Sequence, residues 1–315
     1  MTIVIAIGVS LALLIGGLAL FTALHARQAE KLAPPLGPFV EIDGARLHYL
    51  DRGSGPVVVM VHGLSGNLRN FYALIDKLAA TCRVVVVDRP GSGYSRMVCG
   101  PHPALRTQAK IIARFLSELR LDRPVLVGHS LGGALALALA LDHPGCVRAL
   151  VLISTLSQVE RVPPAVFKAL DIRSSTLRWL IAWSLMAPLG KLARQATLKV
   201  VFAPELPPDS FAVESGAALG LRPASFIAAC EDMATVSDEL ANLTPRYPSL
   251  GIPVEVIYGR GDPILDYRAH GERLVAAVPN ATLHLVEGGH MIPVTAADQI
   301  VSRIRHIVER AHPPC

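Results

Sequence analysis

The stretch best equipped for covalent chemistry is Gly128-His129-Ser130-Leu131-Gly132. Apolar Val125-Leu126-Val127 runs into it, and an alanine- and leucine-rich helical pattern follows to about Asp142. This reads as strand, sharp turn, helix, with Ser130 at the turn. Small residues on both sides permit a strained serine backbone that lifts its oxygen clear of the sheet. The spacing is that of a G-x-S-x-G nucleophile elbow. The competing reading is a surface turn whose serine caps the helix. His129 occupies a variable position of the motif and reads as structural. A serine hydroxyl attacks a carbonyl only once a base takes its proton. Imidazole has the suitable unperturbed pKa, and a carboxylate on its second nitrogen would fix the tautomer. Histidine and acid must therefore come from elsewhere in the chain.

Other chemistries find no support in the residues. The formal net charge is +5, but the arginines are scattered, without a basic run or an aromatic-interleaved patch. No nucleic-acid partner is expected. The five cysteines, Cys82, Cys99, Cys146, Cys230 and Cys315, form no C-x-x-C pair, which argues against a disulfide framework or a cysteine metal site. Gly91-Ser92-Gly93-Tyr94-Ser95 is glycine-rich but lacks the Lys-Ser/Thr of a phosphate loop and the G-x-G-x-x-G spacing. We expect no metal and no organic cofactor.

Alternating strands and helices must position the serine. Phe39–Arg52 alternates around Asp43-Gly44 as a hairpin. Pro56–Val61 and Cys82–Val87 are valine-rich runs too short for helices, as strands buried on both faces are. Helical patterns follow each, at about Asn70–Ala80 and Thr107–Leu119, and Val147–Ile153 is the strand after the elbow helix. From about residue 156 to 250 the pattern is helical and punctuated by prolines. The strand–helix rhythm then resumes with Val254–Tyr258, helix Tyr267–Val278, strand Ala281–Val286 and an amphipathic helix Ala296–Ala311. The fold class is α/β, a mostly parallel central sheet flanked by helices. The predicted division is 1–38 anchor and linker, 39–155 first part of the core, 156–250 helical cap, 251–315 second part of the core.

Ile3–Leu24 carries no charge. As a helix it reaches roughly 33 Å at ~1.5 Å per residue, enough to cross a bilayer. A cleaved signal peptide is the rival, but it calls for a positive n-region, a shorter apolar core and a small-x-small site. We read a retained single-pass membrane anchor. Arg27 and Lys31 follow the span and no Lys or Arg precedes it, which leans toward a cytoplasmic catalytic part. Leu32–Pro38 reads as a stiff extended linker off the membrane.

From about residue 39 onward the chain resembles the α/β-hydrolase superfamily. The resemblance is carried, in order, by His62-Gly63, the Asp88-Arg89-Pro90-Gly91-Ser92-Gly93-Tyr94-Ser95 turn, the Ser130 elbow, and Asp262 and His290 just past the last two predicted strands. The family order is nucleophile, acid, histidine, which implies Ser130, Asp262 and His290. Asp266 and Asp88 are competitors for the acid. The place after the Val147 strand, where some relatives carry it, holds Ser154-Thr155. The family supplies two backbone N–H groups to the oxyanion, here from Leu131 and from Leu64 after the His-Gly pair. The Asp-Arg-Pro-Gly turn looks like that of epoxide hydrolases, haloalkane dehalogenases, carbon–carbon-bond hydrolases and related esterases. The first two normally carry Asp at the elbow, so Ser130 favours acyl chemistry.

Within the cap, Trp179, Trp183 and Met186 fall at i, i+4 and i+7, one face of a helix. With Phe202 and Phe226 they could line an apolar substrate pocket; the alternative is plain packing of cap on core. Leu177–Leu192 is apolar enough to touch a bilayer surface. The expected function is that of a serine hydrolase of the carboxylesterase or lipase type, cleaving a lipophilic ester through an acyl-enzyme. A carbon–carbon-bond hydrolase or cofactor-free haloperoxidase on the same scaffold, and a ligand-binding protein without turnover, are the alternatives.

Overall fold

A computed structural model describes residues 1–160 and 162–311; Cys315 lies outside the described residues. Helix α1 (Thr2–Leu32) opens the chain. The hairpin β1 (Phe39–Ile42) and β2 (Ala45–Arg52) turns through Asp43 and Gly44, at φ 47° and 76°. Two residues of positive φ are what a two-residue hairpin loop of type I′ requires. Then come β3 (Val57–Val61), α2 (Tyr72–Ala79), β4 (Arg83–Val87), the short β5 (Arg96–Met97), α3 (Leu105–Glu118), β6 (Val125–His129), α4 (Leu131–Asp142) and β7 (Ala149–Ile153). Between β7 and the next strand the chain is helical: α5 (Ser175–Ser184), α6 (Met186–Phe202), α7 (Phe211–Glu214) and α8 (Pro223–Leu243). β8 (Val254–Gly259), α9 (Arg273–Ala277), β9 (Ala281–Val286), α10 (Ile292–Thr295) and α11 (Ala297–Ala311) complete it.

The sheet runs β1-β2-β4-β3-β6-β7-β8-β9, with β5 beside β2. From β4 to β9 all pairings are parallel. Alternate residues of each strand serve two cores. Val59, Val61, Val85 and Val87 face the layer of α3 and α4, while Val58, Met60, Val84 and Val86 face α2 and α11. Burial on both faces is why these strands read as unbroken apolar runs. Helix α4 is buried from Leu131 to Leu141 and is correspondingly apolar all round.

Chain order reverses between β3 and β6: β4 lies to one side of β3 and β6 to the other. In open parallel sheets the crevice at the carboxyl ends of such a pair is where ligands bind. Val61 is in register with Gly128, so the His62-Gly63 loop and Ser130 leave the sheet side by side.

One expectation is corrected and one segment is placed more closely. Residues 33–38, read as a stiff linker, are tied to the folded body. Tyr94 Oη donates to Ala33 O at 2.7 Å, Arg69 donates to Pro34 O at 2.7 Å, and the N–H groups of Leu36 and Gly37 point at His48 Nε2 at 3.1 and 3.3 Å. These backbone groups find partners on the folded body, so the segment is fixed to it. α1 also continues past the apolar stretch to Leu32, burying Ala29 with Ala33 and Leu219. The helix expected over Tyr267–Val278 opens instead with a π-helical turn at Arg268–Glu272. There a Cβ on Gly271 would stand 3.0 Å from the ring of Tyr258.

Candidate active site

Ser130 joins β6 to α4 with φ 54° and ψ −120°. Such a backbone in a residue with a Cβ costs about 1–3 kcal/mol and persists only where its surroundings over-determine it. They do here. Ser130 N donates to Ile153 O of β7 at 2.9 Å, and Ser130 O accepts from Gly133 N at 3.0 Å and Leu156 N at 3.2 Å. A Cβ on Gly128 would meet the carbonyl oxygen of Gly132 at 2.5 Å, and one on Gly132 would strike the carbonyl oxygens of Val61 and His62. Gly133 is equally confined, against the side chain of Thr155. The glycines let strand, turn and helix approach to backbone contact.

Asp262 and His290 follow β8 and β9, which are parallel neighbours, so both residues emerge at the same sheet edge as Ser130. His290 Nδ1 lies 2.8 Å from Asp262 Oδ2. A carboxylate accepts, so Nδ1 carries the proton and the Nε2 lone pair is left for another partner. The other Asp262 oxygen accepts the N–H groups of Ile264 and Leu265 at 2.8 and 3.0 Å. Burial pushes the Asp262 carboxyl up, but the His290 ring and these donors outweigh it and hold the carboxyl below its ordinary range. Asp266 instead caps its own turn, accepting from Arg268 N at 2.6 Å. Asp88 is bound to His48 Nδ1 at 2.7 Å, Leu68 N at 2.6 Å and Tyr94 N at 2.8 Å. Both rival carboxylates are thus occupied in turns.

Two contacts to the His290 segment have no sequence signal. His129 Nε2 lies 3.1 Å from the carbonyl oxygen of His290, which can only accept, so Nε2 donates. Burial, then the neighbouring His290, lowers the His129 pKa to about 3, so the ring is neutral. Glu205, between α6 and α7, accepts the N–H of Gly289 at 2.9 Å. Only a fold that brings these residues together gives them a role.

Leu64 follows the His62-Gly63 pair at the end of β3, and a Cβ on Gly63 would stand 3.0 Å from Ser130 Cβ. His62 is fully buried and neutral, its pKa lowered to about 4 by burial and then by Arg89. Its Nε2 accepts the N–H of Arg89 at 3.0 Å and its Nδ1 donates to Gly63 O at 2.8 Å. Leu131 is the first residue of α4 and is buried. The five cap residues expected to form one pocket wall are not brought together. Half-buried Met186 and buried Phe226 pack in the cluster that Leu64 touches. Phe202 sits apart with Phe211 and Met291, next to His290. The rings of Trp179 and Trp183 lie 6.4 Å apart, tilted at 44°, and are 56% and 36% exposed, so that stripe of α5 faces outward. Among the described residues no group of His, Cys, Asp and Glu could hold a metal ion.

The chain belongs to the α/β-hydrolase fold family, whose model matches residues 56–297. Among curated proteins it is 30% identical to the magnesium-chelatase 30 kDa subunit of Rhodobacter capsulatus, over 79% of this chain and 86% of that one. It is 25% identical to cis-3-alkyl-4-alkyloxetan-2-one decarboxylase of Shewanella oneidensis, over 89% and 90%. A thermophilic esterase from Thermogutta terrifontis shares the fold with a TM-score of 0.72 and 22% identity, over 88% of this chain and all of the other. A membrane phospholipase A does so with a TM-score of 0.69 and 22% identity, over 99% and 98%. This is a hydrolase family, and its solved neighbours include esterases, lipases, a lactonase and an epoxide hydrolase.

Proposed function

We propose that this chain is a serine hydrolase that cleaves a lipophilic carboxylic ester through an acyl-enzyme intermediate. The observation that carries the reading is the His290–Asp262 hydrogen bond at the edge where Ser130 occupies its strained turn. In this reading His290 Nε2 takes the Ser130 proton as the oxygen attacks the ester carbonyl. Asp262 holds the tautomer and stabilises the imidazolium that forms. The tetrahedral oxyanion takes hydrogen bonds from the N–H groups of Leu64 and Leu131, the second at the start of α4, where the helix dipole favours negative charge. On collapse the imidazolium gives its proton to the leaving alcohol. Water, deprotonated by the same ring, then releases the acid.

The helical segment 156–250 serves as a cap over the serine, set into a core formed by 39–155 and 251–315. Residues 1–38 attach the enzyme to a membrane. Support for the attachment is an N-terminal helix of mean hydropathy 2.7 over its apolar window, the length and composition of a membrane span or of a signal sequence. The cap also leaves Leu177, Trp179, Leu180, Leu185, Leu189 and Leu192 exposed. Apolar helix surface of this kind, with Arg173, Lys191 and Arg194 around it, suits a bilayer interface and a substrate drawn from it.

A fluorophosphonate probe is expected to label the wild-type chain and to leave Ser130→Ala unlabelled. An ester panel graded by acyl length, with and without vesicles, is expected to favour long chains presented in membranes. Folded protein that takes no label overturns the nucleophile. Equal turnover of short soluble and long membrane esters overturns the substrate class.

A further inference from the structure

Arg89 lies at the turn after β4, and its side chain is fully buried. Burying a guanidinium carries a large desolvation penalty, and an apolar replacement of a buried ion pair is often as stable or more so. The charge therefore calls for an explanation beyond stability. Its guanidinium makes four hydrogen bonds to three segments, and its backbone N–H makes a fifth. The backbone N–H goes to His62 Nε2, as above. Nε donates to His62 O and Nη2 to Gly63 O, both at 3.2 Å. Nη1 donates to Gln108 Oε1 of α3 and to Asp232 Oδ2 of cap helix α8, both at 2.9 Å. The second oxygen of Asp232 is in turn held by His102 Nε2 at 2.9 Å and Gln108 Nε2 at 2.7 Å.

One guanidinium thus grips both carbonyl oxygens flanking Gly63. The carbonyl of Gly63 and the N–H of Leu64 belong to the same trans peptide, in which they point in opposite directions. Fixing that carbonyl toward Arg89 fixes the N–H away from it. Gly63 lacks a side chain to resist rotation of this peptide. Its carbonyl is held from three sides, by Arg89, by His62 Nδ1 at 2.8 Å and by Gly66 N at 3.3 Å.

We propose that Arg89 is a positioning residue that aims the Leu64 N–H at the oxyanion, and that Asp232 of the cap holds Arg89 for this task. The inference rests on the serine-hydrolase reading given above. It makes the cap part of the device that stabilises the transition state as well as a cover for the substrate. Aiming affects the charged tetrahedral species more than the neutral substrate, so its loss lowers kcat and leaves KM nearly unchanged.

Two variants test this in the full-length chain in detergent: Arg89→Lys, whose single ammonium cannot span both carbonyls and the carboxylate, and Asp232→Asn, nearly isosteric. The probes are p-nitrophenyl esters and a trifluoromethyl ketone, which binds as a tetrahedral oxyanion. Both variants are expected to lose about 10- to 100-fold in kcat per labelled serine, short of the ~10²–10³-fold that follows outright loss of an oxyanion donor. KM should stay within about twofold, and ketone affinity should fall by the same factor as kcat. A structural stitch alone would lower the unfolding temperature and the labelled fraction while leaving kcat per labelled serine at the wild-type value. That result overturns the proposal, as does failure of both variants to fold. Absence of phosphonate labelling in the wild type would instead overturn the serine reading itself.

Discussion

At the residue scale, the candidate chemistry depends on what each side chain is prevented from doing. Asp262 is surrounded by donors, so it stays ionised and accepts a hydrogen bond from His290 Nδ1. Replacing it by asparagine keeps the shape and removes the charge. The amide can then present a donor to Nδ1 and favour the tautomer with the proton on Nε2, where a lone pair is needed. We expect Asp262→Asn to lower kcat by on the order of 10³–10⁴-fold, with KM little changed, measured on a chromogenic ester. His129 plays a quieter part. As a buried neutral ring it donates to the backbone carbonyl of His290, and its ring lies 5.0 Å from the His290 ring.

At the element scale, backbone proximity replaces side-chain chemistry. β3, β6 and the start of α4 meet without intervening side chains at Gly128 and Gly132. An added methyl at Gly132 would press on carbonyl oxygens of the central sheet, which cannot swing aside as a side chain can. Gly132→Ala is expected to lose about 1–3 kcal/mol or more of stability by denaturant unfolding, together with phosphonate labelling at Ser130. Gly251→Ala is the control. Nothing lies within 4 Å of a Cβ there, and its φ is not in the left-handed range. That variant is expected to be neutral or more stable by up to about 1 kcal/mol, because the unfolded chain loses freedom. The α1 helix makes the same point in reverse. Helix α1 contacts α5 and α6, and its Glu30 pairs with Arg222, which immediately precedes α8, at 2.9 Å.

At the scale of the whole molecule, buried titratable groups tie stability to pH. His62 and His129 are held neutral by burial, with pKa values lowered from 6.5 to about 4 and about 3. Below pH 6.5 the unfolded chain binds protons that the folded chain refuses, so acid favours unfolding. Asp232 adds to this at lower pH. Burial pushes its carboxyl up, but Arg89 and His102 more than offset that and hold it at about 2, against an ordinary 3.8. Its contribution is present above pH 3.8 and is lost as pH falls toward 2. We expect the unfolding free energy to be nearly flat between pH 6.5 and about 8, and to drop on the order of a few kcal/mol by pH 4, followed by urea titration at each pH.

Much of this architecture is written in local pattern. Valine runs ending in glycine, the serine between Gly128 and Gly132, and the recurrence of helical periodicity determine strands, turns and their order, because each depends on residues within a few positions. The positions of Asp262 and His290 at strand ends are legible for the same reason. Which carboxylate meets His290 is not, since Asp262, Asp266 and Asp88 all sit in turns and only the docking of β8 against β9 selects among them. The Arg89–Asp232 pair spans 143 positions. The periodicity that groups Trp179 and Trp183 with Met186 shows neither the break between α5 and α6 nor the neighbour each face meets, and the fold turns the two tryptophans outward. Long-range pairing of charges and the facing of a helix depend on how whole elements pack, and no single stretch of sequence carries that information.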